Sequence, residues 1–432
     1  MSPAKPADRG LPRRVIRAIR RRLRRIGRSR AARDPFAQVR SIDGPTLVRI
    51  PTVVLDDWPG RPRRLVVLVP SLAPDRLTGG PNTALQLGAR VAARGTPVAF
   101  AATHGPATDS VQLLGHLRTL LGDPPRDLQV TFESVARPED SLRVAPGDVV
   151  MATWWPTAYA AARALEVTGA GSFLYLVQDF EPAFHPWSTS YALALGTYSL
   201  PMRPIFNTGL LRDHFLATRV GRLAEPSAGD LAIAFEPAVD TALFRPGPAG
   251  ATPRLLFYAR PAKARNAFEL GLRALRVAVQ RGSFGDDWEF WSIGETVPEL
   301  PLGPGAVLRP MPWKSLTDYA AMLGSSNVLL SLMLSPHPSY PPLEMAAAGG
   351  TVVTNTFGVK TAEALGRISP RIHAVEPEVE ALAIALRTAA QTPRATEAAN
   401  LVLPKSWEAS LEPIVDWVLE VGFGERTVGS RG

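Results

Sequence analysis

The stretch Ser331-Leu-Met-Leu-Ser-Pro-His-Pro-Ser-Tyr-Pro-Pro-Leu-Glu344-Met-Ala-Ala-Ala-Gly-Gly350 sets one carboxylate between an apolar run and the strand-like Thr351-Val-Val-Thr-Asn355. The apolar residues from 327 to 334 read as a buried parallel strand that stops at Ser335-Pro-His-Pro. Pro341 and Pro342 suit the first turn of a helix, which puts Glu344 in its dipole-positive N-terminal turn, and Gly349-Gly350 ends it. A carboxylate at a strand's carboxyl end in an open α/β sheet sits where such folds bind ligands; the plain alternative is a helix acid with no ligand. Asp179 and Glu181 share the loop Gln178-Asp-Phe-Glu-Pro182 and form the acid/base candidate of the first half, beside the alternatives of an acidic loop or a helix cap. Trp154, Phe180, Phe184, Trp187 and Tyr191 crowd the same region, and their flat faces suit sugar rings or a packed loop. Arg260, Lys263 and Arg265 follow an apolar run and precede a helical pattern, which makes a phosphate cradle or a solvated charge cluster. Gly79-Gly80, between a strand and a helix, can bring backbone amides up to a phosphate or simply turn the chain.

Those groups need elements to hold them. At 432 residues the chain exceeds one ordinary core and is expected to form at least two domains. A hydrophobic content of 46% with 20% charged residues is that of a globular protein, and 42 prolines with 35 glycines imply many loops. The absence of cysteine excludes disulfides, cysteine-ligated metal and a thiol nucleophile, and the six histidines fall in no metal-binding spacing. The net charge of +9 belongs to one end: residues 1–33 carry Lys5 and twelve arginines against Asp8, leaving 35 basic and 38 acidic residues in the remainder. The body is therefore not expected to bind nucleic acid. Within residues 11–30, apolar positions recur at helical spacing among arginines, so this segment is expected to be a basic amphipathic helix on an anionic membrane surface, with a solvated tail or a basic targeting peptide as the alternatives. No apolar run reaches the ~18 residues needed to span a bilayer, which suggests a cytoplasmic protein, peripheral at most.

Strands are expected at 64–69, 97–101, 128–132, 148–154 and 173–177, with helices at 83–94, 110–121 and 157–165. A strand feeding a helix over 205–217 and a strand at 231–235 complete this half, and the alternation specifies a doubly wound parallel sheet. The Pro/Gly-rich segment 236–250 reads as a linker. A second series follows with strands at 254–259, 288–293 and 306–308, helices at 267–280 and 316–323, the stretch from 327 onward, and two further β/α patterns up to 389. A last amphipathic helix covers 407–419. The expected division is a tail at 1–35, a first domain at 36–235, the linker, a second domain at 251–404, and 405–432 packing back on the first domain.

Two Rossmann-like halves joined by Val239-Asp-x-x-x-Phe244, with the early Gly-Gly turn and the late Glu-bearing Pro-rich loop, resemble GT-B glycosyltransferases, and among them glycosyltransferase family 4. More narrowly, Gln178–Pro182 with Trp187 and Tyr191, residues 260–266 and residues 331–345 resemble bacterial rhamnosyltransferases of S-layer and O-antigen type glycans. The resemblance covers residues 64–420. It implies an α/β fold with two Rossmann-like doubly wound domains facing across a cleft. A nucleotide-sugar donor, dTDP-β-L-rhamnose, would lie mainly on the second domain, and a glycan or lipid-linked glycan acceptor mainly on the first, with neither cofactor nor metal. By similarity, Glu344 would bind the nucleotide ribose, with Ser339 and Tyr340 lining the same pocket. Arg260, Lys314 and Arg265 would face the diphosphate, while Gly79 and Gly80 admit the sugar and phosphates. Trp154, Asp179, Glu181 and Trp187 would face the acceptor.

One position departs from the family pattern. Many family 4 enzymes carry a second glutamate eight residues before the ribose-binding one, where this chain has Pro336. Fixed cations can stabilise a departing diphosphate without a metal, with Arg260 and Lys314 in that role. Asp179 or Glu181 would position or deprotonate the acceptor hydroxyl. Three rival readings are a GT-A transferase with Asp179-Phe180-Glu181 at a metal, a sugar-nucleotide epimerase or phosphorylase on the same two-domain plan, and an inactive membrane-associated scaffold for glycan assembly.

Overall fold

The computed structural model describes residues 50–424 except 59, 75, 76, 78, 106–108, 123, 124, 126, 226, 228, 230, 231, 249 and 398–400. The basic segment expected at 1–35, with its membrane contact at 11–30, lies outside the described residues.

The first lobe runs β1 (Thr52–Leu55), β2 (Leu65–Val69), α1 (Gly80–Ala93), β3 (Val98–Ala102), α2 (Ser110–Leu121), β4 (Val130–Ser134), β5 (Ser141–Val144), β6 (Val149–Ala152), α3 (Trp155–Thr168), β7 (Phe173–Val177), α4 (Thr189–Gly196), β8 (Met202–Asn207), α5 (Gly209–Ala217) and β9 (Ile233–Phe235). Every residue of β2, β3 and β7 is buried, as strands covered on both faces require. The seven-stranded sheet has the order β4-β3-β2-β6-β7-β8-β9 and all its pairings are parallel. Strand order reverses between β2 and β6, the doubly wound switch point. The expected helix at 83–94 begins earlier, at Gly80, because Pro81 has a backbone fit for a first helical turn. β1 and β5, which the sequence patterns did not predict, form a separate two-stranded parallel sheet.

The linker is anchored by its own side chains. Val239 and Phe244 enter the core of the second lobe, while Asp240 Oδ1 accepts from Ala242 N at 2.9 Å and from Leu243 N at 3.2 Å to form the turn. The second lobe then runs β10 (Arg254–Ala259), α6 (Phe268–Gln280), β11 (Glu289–Gly294), β12 (Leu300–Gly303), β13 (Ala306–Pro310), α7 (Leu316–Ser325), β14 (Val328–Leu330), α8 (Tyr340–Ala347), β15 (Thr351–Asn355), α9 (Ala362–Ile368), β16 (Ile372–Val375) and α10 (Val379–Gln391). Its sheet order is β12-β13-β11-β10-β14-β15-β16, parallel except for the β12/β13 hairpin at its edge. Strand order reverses between β10 and β14. The apolar run expected as a strand over 327–334 is regular only to Leu330; Ser331 to Leu334 already belong to the loop above the sheet. A final helix, α11 (Trp407–Phe423), returns to the first lobe, where Leu411, Ile414, Val415 and Val418 join the core under α1.

Candidate active site

Chemistry-bearing residues gather above the carboxyl ends of both sheets. In the second lobe, Glu344 is the fifth residue of α8 and so lies in its second turn, not in the first turn expected from Pro341 and Pro342. Its carboxylate is half-buried, and Oε2 accepts from Tyr319 Oη of α7 at 2.9 Å. Burial pushes the carboxyl up to about 7, against the opposing pull of that hydrogen bond. Ser339 precedes the helix with φ of 70°, a strained backbone for a residue other than glycine, and its N–H donates to His337 Nδ1 at 2.9 Å. His337 is buried, which pushes its imidazole down to about 4.

Arg260 follows β10 directly. Its Nε lies 3.5 Å from Glu295 Oε1, and its Nη1 donates to Tyr258 Oη at 3.4 Å. Lys314 stands before α7, where it lines a shallow depression of about 400 Å³ with Arg254, Trp291, Met311, Asp318 and Met322. Arg260 and Lys314 thus flank the α7 side of the sheet rather than forming one cluster. Arg265 points elsewhere: its Nε is 3.4 Å from Asp179 Oδ2, and its guanidinium lies 4.2 Å over the Phe184 ring of the first lobe.

Across the cleft, the two carboxylates of the Gln178–Pro182 loop separate. Asp179 faces the second lobe, where Ser335 Oγ donates to its Oδ1 and Arg265 pairs with Oδ2. Glu181, only 4% exposed, turns into the first lobe, where its Oε2 accepts from Trp155 N at 2.6 Å at the start of α3. Burial pushes Glu181 up to about 8. It is therefore a helix-terminus acceptor, and the two acids do not make the acid/base pair, or the Asp-x-Asp-like metal site, that their spacing allowed. Trp154 precedes the same helix, half-buried, with its ring centroid 4.8 Å from that of His104. Trp187 is 92% exposed and stacks on Tyr191 with centroids 5.4 Å apart, so it forms a surface platform rather than a wall of the cleft.

Gly79 takes φ of 55°, and a Cβ on Gly80 would stand 2.8 Å from Gln178 Oε1. The first position needs the left-handed backbone and the second needs the absence of a side chain. Tyr340 reaches into the first lobe: its Oη lies 3.5 Å from Thr83 Oγ1 and accepts from Asn207 Nδ2 at 3.1 Å. A residue expected only to line the nucleotide pocket thus joins the two lobes.

Sequence reasoning missed Lys360 and Asn355. Lys360 is fully buried and its Nζ donates to Met333 O at 2.7 Å; burial pushes the ammonium down to about 7, opposed by the Asp179 charge. Asn355 also holds the loop after β14, through Met333 N at 2.7 Å and Met333 O at 3.1 Å. Among the described residues there is no cluster of three or more His, Asp or Glu suited to a metal ion, and no helix is long and apolar enough to cross a membrane.

Comparison with known proteins gives this arrangement a family. The WsaF N-terminal domain model matches residues 64–209 and the WsaF C-terminal domain model matches residues 253–387, together about two thirds of the chain. An O-antigen biosynthesis protein RfbC from Myxococcus xanthus is 34% identical over 293 residues, which is 66% of this chain and 22% of that protein, so the chain spans about a fifth of the relative's length. WaaG, a glycosyltransferase involved in lipopolysaccharide biosynthesis, superposes with a TM-score of 0.51 at 13% identity, over 84% of this chain and all of WaaG. Sucrose-phosphate synthase from Thermosynechococcus elongatus superposes with a TM-score of 0.53 at 14% identity, over 83% of this chain and 99% of the enzyme. At such identities the likeness is one of fold, and it is the GT-B arrangement of two Rossmann-like lobes. The two family models fall on the two lobes in order, and the chain belongs to the WsaF family with a GT-B fold.

Proposed function

We propose that this chain is a glycosyltransferase that moves L-rhamnose from dTDP-β-L-rhamnose to a glycan or lipid-linked glycan acceptor in bacterial surface polysaccharide synthesis. The observation that carries this reading is Glu344: a partly desolvated carboxylate above the switch point of the second sheet, oriented by Tyr319, on a helix whose first residue contacts the opposite lobe. Its free acceptor capacity suits the ribose hydroxyls of a nucleotide. Arg260, whose guanidinium is partly exposed beside Glu295, supplies positive charge for the diphosphate, while Lys314, in its separate depression beside α7, would have to swing its long side chain toward Arg260 to join it. Preorganised cations stabilise the charge that grows on the departing β-phosphate. Gly79 and Gly80 admit the transferred sugar from the first lobe, where a side chain at Gly80 would meet Gln178.

Asp179 positions the acceptor and closes the cleft against Ser335 and Arg265, while Glu181 holds the start of α3. If configuration is retained, the departing phosphate takes the acceptor's proton. Trp154 and the exposed Trp187–Tyr191 stack offer apolar faces to the acceptor's rings. The RfbC relative and the lipopolysaccharide role of WaaG support a surface-glycan pathway. The basic segment 11–30 would hold the enzyme at the inner face of the cell membrane. The test is a screen of purified protein against a panel of nucleotide sugars, followed by linkage analysis of the product. Transfer from dTDP-β-L-rhamnose is expected; binding of no nucleotide and transfer of no sugar would refute the reading.

A further inference from the structure

Among the described residues, two buried side-chain carbonyl oxygens without a hydrogen-bond donor belong to Gln178 and Asn207, at the carboxyl ends of neighbouring strands of the first lobe. Val177 of β7 pairs in register with Phe206 of β8, so the next residues, Gln178 and Asn207, occupy the same level on adjacent parallel strands. Side chains alternate across a sheet. Leu174, Leu176 and Ile205 lie in the core cluster that includes α1, which puts Gln178 and Asn207 at the upper end of that same face. Adjacent strands set the two backbones about 4.8 Å apart, so both side chains rise from neighbouring points of the sheet.

Gln178 Nε2 donates to Thr153 O at 3.4 Å, which leaves its Oε1 against Gly80 and unpaired. Asn207 is 2% exposed; its Nδ2 donates to Tyr340 Oη, and its Oδ1 is unpaired. A buried acceptor without a donor is destabilising, so two together, in the cleft, call for donors brought from outside. A carbonyl oxygen is an acceptor only, and amines or cations are not required to satisfy it: a hydroxyl is enough. The N-terminus of α1 adds orphan amides beside Gln178, because Gly80 and Asn82 stand in the first helical turn. Thr83 of α1 and Tyr340 of the second lobe supply two more hydroxyls.

We infer that Gln178 and Asn207 form a subsite that reads two hydroxyls of a sugar ring, and that Tyr340 completes it when the lobes meet. This rests on the proposed sugar transfer and adds to it the residues that select the ring. The hydroxyls can come from the sugar of the donor or from the acceptor saccharide. A site built to hydrogen-bond hydroxyls discriminates against rings that lack them, because its own buried polar atoms are then left unpaired.

The experiment compares the unaltered chain with Gln178→Met and Asn207→Leu, which remove the acceptors, and with Gln178→Glu and Asn207→Asp, which keep them. Titration calorimetry measures affinity for dTDP and for dTDP-β-L-rhamnose, and initial rates give the KM for methyl α-L-rhamnopyranoside as acceptor. Affinity for dTDP is expected to stay within about twofold in the Met and Leu variants, which also reports an intact fold. The Met and Leu variants are expected to lose roughly tenfold in one sugar-dependent parameter, with partial recovery in the acidic variants. A loss confined to dTDP-β-L-rhamnose affinity assigns the subsite to the transferred sugar, and a loss confined to acceptor KM assigns it to the acceptor. Intact dTDP binding with both parameters unchanged means that water satisfies the two carbonyls, and overturns the subsite. Failure of the unaltered chain to bind dTDP would instead defeat the donor reading, and the subsite with it.

Discussion

Replacing Glu344 by Gln should make the protein more stable while it loses its nucleotide. The carboxyl is raised from an ordinary 4.5 to about 7 by burial, and Tyr319 recovers only part of the lost hydration. Full conversion of that difference would correspond to about 3 kcal/mol. The side chain is only half-buried, and screening reduces the expected gain to roughly 1–2 kcal/mol. Because the folded value lies above the unfolded one, Glu344 is neutral in both states below about pH 4.5 and costs stability as pH rises through about 7. Glu344→Gln should therefore melt a few degrees higher than the unaltered chain at pH 8 and at the same temperature near pH 4.5. A ligand-binding carboxylate loses its purpose in the same substitution, so affinity for dTDP should fall at least about tenfold at pH 8, the scale of a lost charge-assisted hydrogen bond. Differential scanning calorimetry at the two pH values and a dTDP titration check both halves. A lower melting temperature at pH 8 would mean that the charged form has a stabilising partner in the apo protein. Unchanged dTDP affinity would take Glu344 out of the donor site.

Arg260→Ala should lower turnover by roughly 10² to 10³, the usual scale for one stabiliser of transition-state charge, and a nearly unchanged kcat would remove it from the mechanism. Glu181→Gln should leave transfer within about threefold, because an amide oxygen can still accept from Trp155 N, and should not lower the melting temperature at pH 8; a large loss of kcat would restore Glu181 to the chemistry. Deleting residues 1–33 should weaken sedimentation with anionic vesicles and leave transfer to a water-soluble acceptor intact; equal vesicle binding by both chains would exclude that anchoring role.

Local patterns carried much of the fold. Phe173–Val177, Ser110–Leu121 and Arg254–Ala259 are elements whose periodicity and punctuation left little choice, and the structure has them at those bounds. β1 and β5 escaped notice because their residues are partly exposed and the two strands pair across a long separation in the chain, which no local pattern reports. The site was less legible, since spacing along the chain does not fix where a side chain turns. Asp179 and Glu181 are two residues apart, yet one crosses to the second lobe and the other caps a helix. Tyr340 was visible as part of the Pro-rich loop, but its contact with Thr83 and Asn207 depends on how two separately folded sheets meet. Lys360 looks like a solvent-facing lysine in Gly358-Val-Lys360-Thr; only the strand order, which puts β15 beside β14, brings its ammonium under Met333.

The return of α11 has a consequence for how the chain is made. Four of its apolar side chains complete the core under α1, Arg94 meets Glu412 and Asp416, and Arg63 donates to Gly422 O at 2.9 Å. During synthesis, the sheet assembled from residues 65–235 must wait, with one greasy flank uncovered, until the last of these residues leaves the ribosome. The lobe that starts first is thus finished last, and a fragment ending with the second family-model match at residue 387 would carry that open flank permanently.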